Sequence, residues 1–145
     1  MIQLILTVCL LESSLCAPIL LPAGEATTQA ACEAGAERIG GEWLIGRDDL
    51  AGQGSDCVAL GDLPALALSG VASGVHVHLG EAAQLEQSAD GWIANLGVVI
   101  GDASVAVIDA GASRAQGQQL YTAIRRLTDK PVSHVILTHM HPDHV

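Results

Sequence analysis

The chain has 145 residues and a formal net charge of −10, with 6 basic residues against 16 acidic ones. Half of it is hydrophobic, but two Trp and one Tyr are its only aromatic side chains, so any core must be aliphatic. Because nucleic-acid binding needs clustered Lys and Arg side chains, this composition argues against a nucleic-acid partner.

The chain opens on a short apolar run, Ile2 to Leu11, which is too short to span a bilayer. Small residues near Ala17 are typical of the cleavage site of a secretory signal peptide. Against that interpretation, no Lys or Arg precedes the run, and Glu12 interrupts its end. The alternative is a retained β-strand, Gln3 to Leu10, followed by a loop that cysteines close. Both interpretations remain open at this point.

All four cysteines lie in the N-terminal part of the chain, at Cys9, Cys16, Cys32 and Cys57. Their spacing includes no C-x-x-C pair, so a zinc ribbon is not expected. Four cysteines allow three pairings, and we favour the neighbour pairing, Cys9 with Cys16 and Cys32 with Cys57. Disulfides would place the protein in an exported compartment, whereas reduced thiols would place it in the cytoplasm.

The middle of the chain predicts a small module and a linker. We expect a short helix from Cys32 to Ile39 that Gly40-Gly41 stops, and then a loop from Asp48 to Asp56. Pro64 and its flanking glycines favour a linker from Gly61 to Gly70. We therefore expect an N-terminal cysteine-containing module, residues 1–65, and a second domain, residues 66–145.

A β pattern begins after the linker. Val75, Val77 and Leu79 alternate with His76 and His78, which predicts a strand whose two histidines lie on a solvated face.

Two further strands are expected from Trp92 to Ile100 and from Ser104 to Asp109, joined by a hairpin turn at Gly101-Asp102. Their near-continuous apolar character is typical of strands that are covered on both faces.

A helix from Arg114 to Leu127 follows, with Ser113 as its cap. Pro131 prevents its continuation, and Val132 to Thr138 is then expected to be a buried strand.

The residues after that strand, Thr138-His-Met-His-Pro-Asp-His144, include four good ligands for a metal such as zinc, namely His139, His141, Asp143 and His144. In an extended chain, side chains two residues apart leave on the same side, so His139 and His141 can reach one metal ion. Pro142 biases His141 away from helix, and Asp143 and His144 then turn toward a second position.

This H-x-H-x-D-H motif resembles the metal-binding signature of the metallo-β-lactamase superfamily. The upstream order is similar as well: Asn95-Leu-Gly97, the hairpin from Val98 to Ile108, Asp109-Ala-Gly111, a helix, and the stretch from Lys130 to Thr138. The branch that this chain resembles most is the quinoprotein relay system zinc metallohydrolases. The resemblance covers about Gly74 to Val145, half of the chain.

The resemblance implies an α/β fold, namely the N-terminal half of a metallo-β-lactamase-type αββα sandwich preceded by the small cysteine-containing module. Superfamily members carry further ligands downstream of the motif: another His, a bridging carboxylate and a last His. This chain ends at Val145. We therefore expect it to be the N-terminal part of a longer protein and to be inactive by itself.

The activity implied is that of a zinc-dependent hydrolase of esters, thioesters or lactams, with about two Zn²⁺ ions per complete site. His139 and His141 would hold one ion, and Asp143 and His144 would contribute to the second. Asp143 would also act in catalysis, by orienting the attacking water and taking up its proton. Asp109 would support the metal loop, or serve only as a turn former.

The resemblance further implies a small-molecule substrate, a periplasmic location and a functional link to a quinoprotein dehydrogenase system, without an integral membrane span. A cytoplasmic location is the alternative. Two other functions stay open: an iron-dependent oxidoreductase on the same fold, such as a sulfur dioxygenase, and an inactive fragment that lacks the downstream ligands.

Overall fold

Two β-sheets, each with one α-helix packed against it, make up the computed structural model, which describes residues 1–145. The chain is therefore a mixed α/β protein. It divides into two units, Met1–Leu63 and Pro64–Val145. The boundary expected at residue 65 falls two residues after the end of the first unit.

The first unit is a three-stranded antiparallel sheet with a helix on one face. Its elements in chain order are β1 (Ile2–Leu10), β2 (Cys16–Ala26), α1 (Gln29–Leu44), β3 (Leu50–Ala59) and a 3₁₀ turn (Leu60–Asp62). The sheet order is β2-β1-β3, so the opening apolar run is the central strand. Leu4, Leu6 and Val8 alternate onto its buried face, where they pack against α1. Residues 2–10 therefore form a β-strand in this structure, as the second of the two interpretations of the opening run expected.

Two disulfides stabilise this unit, and they join the neighbouring cysteines that we favoured as partners among the three possible pairings. Cys9 and Cys16 are register partners at the end of the β1–β2 hairpin. Cys32 in α1 is bonded to Cys57 in β3 over a separation of 25 residues. On the chain-entropy model, closing a loop of that length stabilises the fold by about 3.5 kcal/mol. The two disulfides are consistent with an exported protein.

The predicted stop of the first helix at Gly40-Gly41 is wrong, because α1 continues to Leu44. Gly40 is buried, and a Cβ atom there would lie 3.3 Å from Cδ1 of Leu6. The missing side chain therefore lets the helix approach the sheet closely, and this packing outweighs the low helix propensity of glycine. The helix ends instead at Leu44, and its C-cap Ile45 is followed by Gly46, whose φ is +74°.

The loop expected from Asp48 to Asp56 is also wrong, because most of it belongs to β3. Gly52 and Gly54 lower the strand propensity of this segment, but its backbone pairs with the central strand along its whole length. A register shift between Thr7 and Val8 absorbs the irregularity.

The second unit is a five-stranded sheet with one helix on it. Its elements are β4 (Ser69–Ala72), β5 (Val75–His78), a 3₁₀ turn (Leu85–Gln87), β6 (Leu96–Ile100), β7 (Val105–Ile108), α2 (Arg114–Leu127) and β8 (Val132–Ile136). The order is β4-β5-β6-β7-β8, and every pairing is antiparallel except the parallel β7–β8 pair that α2 connects. No helix in the chain is both long enough and apolar enough to cross a membrane.

The prediction for the second helix is confirmed. It runs from Arg114 to Leu127, and the Ser113 hydroxyl caps it by accepting the Gln116 N–H at 3.2 Å. Leu120 and Ile124 are buried against strands β6 and β7. The hairpin turn after β6 is also confirmed, since Gly101 N–H donates to the Ser104 carbonyl at 2.9 Å.

Three expectations for this unit need correction. The strand expected from Trp92 begins only at Leu96. The segment expected to be a linker includes Leu66, which packs in the core of the second unit. The strands are not covered on both faces, because Val98 is fully buried while its neighbour Val99 is 37% exposed. This alternation is typical of a mainly antiparallel sheet with one covered face.

The expected buried strand is instead exposed. β8 lies at the edge of the sheet and pairs only with β7, and the side chains of Val135 and Ile136 are 58% and 52% exposed. An apolar run predicts burial only where another layer covers it, and in β8 only Val132 packs partly against the core.

Candidate metal centre

The parallel pairing of β7 and β8 places the predicted metal-binding motif, residues 138–144, next to Asp109. Ile108 ends β7 opposite Ile136, which ends β8, so the residues that follow both strands leave the same edge of the sheet. The Asp109 N–H donates to the Ile136 carbonyl at 2.9 Å. Asp109 therefore lies beside Thr138, the first residue of the motif.

The Asp109 carboxylate is buried and fully engaged in this loop. It is 3% exposed, and its backbone has a φ of +60°, a left-handed conformation that is uncommon for a residue with a side chain. Oδ1 accepts the Thr138 N–H at 2.8 Å, and Oδ2 accepts the Thr138 hydroxyl at 2.8 Å. Oδ2 also accepts the Nδ1–H of His144 at 2.8 Å. One carboxylate thus connects both ends of the motif.

Burial alone would raise the pKa of Asp109. The hydrogen bond from the Thr138 N–H, together with those from His144 and the Thr138 hydroxyl, outweighs burial and holds the pKa of this carboxyl below its ordinary value. The ionised carboxylate can only accept hydrogen bonds, so the Nδ1 atom of His144 carries a proton.

The same reasoning determines which ring nitrogen of His139 donates a hydrogen bond. Its Nδ1 lies 2.9 Å from the Thr138 hydroxyl oxygen. That hydroxyl donates its single hydrogen to Asp109, so it accepts a hydrogen bond from the Nδ1–H of His139. In both His139 and His144, Nε2 is therefore the ring nitrogen that a neutral imidazole would offer to a metal ion. Histidine ligands of metals are typically held in this way, through the ring nitrogen that does not bind the metal.

The motif side chains lie close together. The ring centroid of His139 is 4.6 Å from that of His141 and 4.1 Å from that of His144. Oδ2 of Asp143 lies 3.2 Å from Nε2 of His144. Two neighbouring ligands of a tetrahedral zinc ion with bonds of about 2.1 Å lie roughly 3.4 Å apart, so the spacing of this carboxylate oxygen and this nitrogen fits one ion.

The donors fit zinc in kind: three imidazoles and a carboxylate, with the Nδ1 atoms of two of the imidazoles engaged in hydrogen bonds. No three His, Cys, Asp or Glu side chains converge on one point, however. The four predicted ligands, His139, His141, Asp143 and His144, thus lie close together in the structure. They form close pairs, but they do not surround a single metal position. The ligand assignment remains a prediction.

Three further histidines lie outside the motif. His134 belongs to β8, where its Nδ1 lies 2.8 Å from the Ser133 hydroxyl oxygen. His76 and His78 belong to β5, three strands away from β8, which is about 14 Å at the usual strand spacing. Both are half-buried rather than fully solvated, and Nδ1 of His78 lies 3.1 Å from the Ala67 carbonyl oxygen.

Two contributors were not identified from the sequence. The sequence indicates Thr138 only as the start of the motif, although its side chain contacts both Asp109 and His139. Ala110 donates its N–H to the His144 carbonyl at 2.9 Å, and no side-chain pattern signals such a backbone contact. A hydroxyl residue next to the first histidine of the motif was the available signal for Thr138.

Comparison with known proteins finds similarity in the part of the chain that contains these residues. Residues 89–145 match the family model of the metallo-beta-lactamase superfamily. Over 39 residues the chain is 36% identical to the linear primary-alkylsulfatase of Pseudomonas sp. (strain ATCC 19151). That similarity covers 27% of this chain and only 7% of the alkylsulfatase. Residues 89–145 are therefore a metallo-beta-lactamase superfamily domain segment, and members of that superfamily are generally metal-dependent hydrolases.

Proposed function

We propose that this chain is part of a zinc-dependent hydrolase. We also propose that its second unit is the N-terminal half of a metallo-β-lactamase-type αββα sandwich. One observation supports the proposal above the others. Asp109 holds Nδ1 of His144, while Nε2 of the same ring lies 3.2 Å from the Asp143 carboxylate. A buried carboxylate that orients a histidine toward another potential ligand is the usual support of a metal-binding imidazole.

In this proposal His139 and His141 would hold one zinc ion, and Asp143 and His144 would contribute to a second. Bound zinc would supply a Lewis acid and a water acidic enough to lose a proton near neutral pH. Asp143 would orient that water and accept its proton. Asp109 would keep the Nδ1 proton of His144 in place, so that Nε2 is the nitrogen left to bind the metal.

The bond attacked would be an ester, a thioester or a lactam. The likeness to an alkylsulfatase favours a second candidate, the sulfate ester of a primary alcohol. Both candidates need the same metal-activated water, so they differ in the acyl or sulfuryl group that is attacked. An iron-dependent oxidoreductase would use the same donor types, and metal analysis separates it from the hydrolases.

Two disulfides support an exported, periplasmic location, and the link to a quinoprotein dehydrogenase system stays a prediction.

The test uses the protein in the form that its own cells produce, isolated without added metal. Elemental analysis should find zinc, and the enzyme should hydrolyse at least one member of a panel that contains an ester, a thioester, a β-lactam and a primary alkyl sulfate. Asp143→Asn should remove this activity. Asp102→Asn is the matched control, because Asp102 is an exposed carboxylate in the β6–β7 turn. Stoichiometric iron, or hydrolysis that survives Asp143→Asn, would contradict the proposal.

A further inference from the structure

Gln116 is a polar side chain in an apolar position. It is the third residue of α2 and is completely buried. Its Oε1 atom accepts the Ala112 N–H at 2.8 Å, but its Nε2 atom has no hydrogen-bond partner among the protein atoms. An unsatisfied buried donor is costly, and an apolar side chain of similar length would fill the space without that cost. The contribution of Gln116 therefore lies in its acceptor oxygen.

That oxygen holds a turn with unusual backbone geometry. Asp109 has a φ of +60° and Gly111 has a φ of +91°, so two of three successive residues are left-handed. A Cβ atom on Gly111 would lie only 2.4 Å from Oε1 of Gln116. The amide thus packs directly on Gly111 and bonds to the next residue.

The same turn carries two contacts to His144. The Asp109 carboxylate accepts the His144 Nδ1–H, and the Ala110 N–H donates to the His144 carbonyl. Because these contacts come from adjacent residues of the turn, any rearrangement of its backbone displaces both. The opposite end of the turn is held by Gln116.

Gln116 is itself anchored. Its N–H donates to the Ser113 hydroxyl at the start of α2, and the Trp92 Nε1–H donates to that hydroxyl at 3.2 Å as well. A side chain on a rigid helix positions its partners more accurately than one on a loop. Gln116 therefore connects α2 to the turn of residues 109–112, and this turn contacts His144.

We infer that Gln116 is a positioning residue for His144: by accepting the Ala112 N–H it fixes the 109–112 turn that orients this histidine for metal binding. The inference rests on the proposed metal centre for its functional meaning. Its structural part concerns the metal-free chain alone.

The principal variant is Gln116→Met, which keeps the length of the side chain and removes the acceptor. Gln116→Glu restores an acceptor oxygen and is the rescue variant. Gly111→Ala disturbs the same turn from the other side, through the 2.4 Å contact, and it decides the question if Gln116→Met does not fold. Thr122→Val is the matched control: Thr122 is a buried polar residue of the same helix, and its hydroxyl bonds to the Gln118 carbonyl instead of the turn.

Two measurements test the inference about Gln116. The first is the NMR signal of the His144 ring Nδ1–H in the metal-free chain with ¹⁵N-labelled histidine. The second is the zinc dissociation constant from calorimetric titration. Gln116→Met and Gly111→Ala should lose the ring N–H signal and weaken zinc binding about tenfold or more, the usual effect of removing support from a ligand. Gln116→Glu and Thr122→Val should keep both properties.

The inference is overturned if Gln116→Met exchanges its Ala112 amide rapidly yet keeps the His144 signal, or if Thr122→Val loses the signal equally. Wild-type protein in the form that its own cells produce would contradict the proposed function instead if it showed the ring N–H signal but bound no zinc. In that case the NMR comparison still decides whether Gln116 positions His144.

Discussion

Asp109 and His144 are 35 residues apart in the chain, yet the carboxylate of the first accepts the Nδ1–H of the second at 2.8 Å. This contact depends on the parallel pairing of two strands that α2 separates in sequence. It connects the sheet edge to the end of the metal motif, and several measurable consequences depend on it.

Loss of the Asp109 carboxylate should weaken metal binding. Asp109→Asn keeps the shape of the side chain but replaces one acceptor oxygen by a donor, so it cannot accept from both Thr138 and His144 as before. Zinc affinity should fall about 10- to 100-fold, as is usual when the partner of a histidine ligand is removed. Isothermal titration calorimetry of the chain checks this, with Asp102→Asn as the exposed control. Equal affinities for Asp109→Asn and wild type would remove Asp109 from the site.

The lowered pKa of Asp109 should make the second unit sensitive to acid. The folded-state pKa of this carboxyl lies below its ordinary value of 3.8, so the ionised carboxylate contributes stability that is complete above that value. The contribution is lost as the pH falls from about 4 through the folded-state pKa. Urea unfolding at a series of acidic pH values, with a chelator present, should show this loss in wild type and a flatter profile in Asp109→Asn. Identical profiles would show that the hydrogen bonds of this carboxylate do not favour its ionised form.

Asp143→Ala should abolish turnover far more than it destabilises the fold. In our proposal this residue both binds metal and orients the attacking water, so its loss should cost several kcal/mol of transition-state stabilisation, and each 1.36 kcal/mol is about tenfold in rate. His76→Ala and His78→Ala should retain activity within a few-fold, since β5 lies three strands away from β8. The measurement is kcat/KM of the full-length protein on the hydrolysed substrate, with Tm as the folding control. Comparable losses in all three variants would show that the site is assigned wrongly.

The two disulfides should differ in their effect on the first unit. The Cys32–Cys57 bond closes a 25-residue separation, and its removal by serine substitutions should cost about 3.5 kcal/mol on the chain-entropy model. The Cys9–Cys16 bond closes a separation of 7 residues and should cost about 2.5 kcal/mol on the same model. Denaturant unfolding followed by Trp43 fluorescence, in a Trp92→Phe background, checks the order. A greater loss for the shorter loop would show that strain or denatured-state structure dominates.

Local patterns predicted some elements well. The helix from Arg114 to Leu127 has a capping serine before it and a proline after it, and such signals act over a few residues. The metal motif was visible because its four ligands are close together in the sequence. The neighbour pairing of the cysteines also matched the structure.

The misjudged elements depend on partners that are distant in sequence. β3 is a strand because β1 offers it a backbone to pair with, and α1 passes through Gly40 because Leu6 packs there. β8 is exposed because it is an edge, which the apolar run itself does not reveal. The left-handed backbone of Asp109 is likewise fixed by contacts with Thr138 and His144 rather than by its neighbours.

The central place of β1 also determines the order in which the first unit can assemble. Ile2 pairs with Ala59, so the first strand to be synthesised must wait for almost the whole unit before its second edge is filled. Pairing over such a sequence distance slows folding, because the chain loses the entropy of the intervening loop before the contact forms. The Cys32–Cys57 bond also needs β3, whereas the β1–β2 hairpin and its Cys9–Cys16 bond can form as soon as residue 26 is available. We therefore expect oxidative folding to proceed from the short hairpin to the long loop.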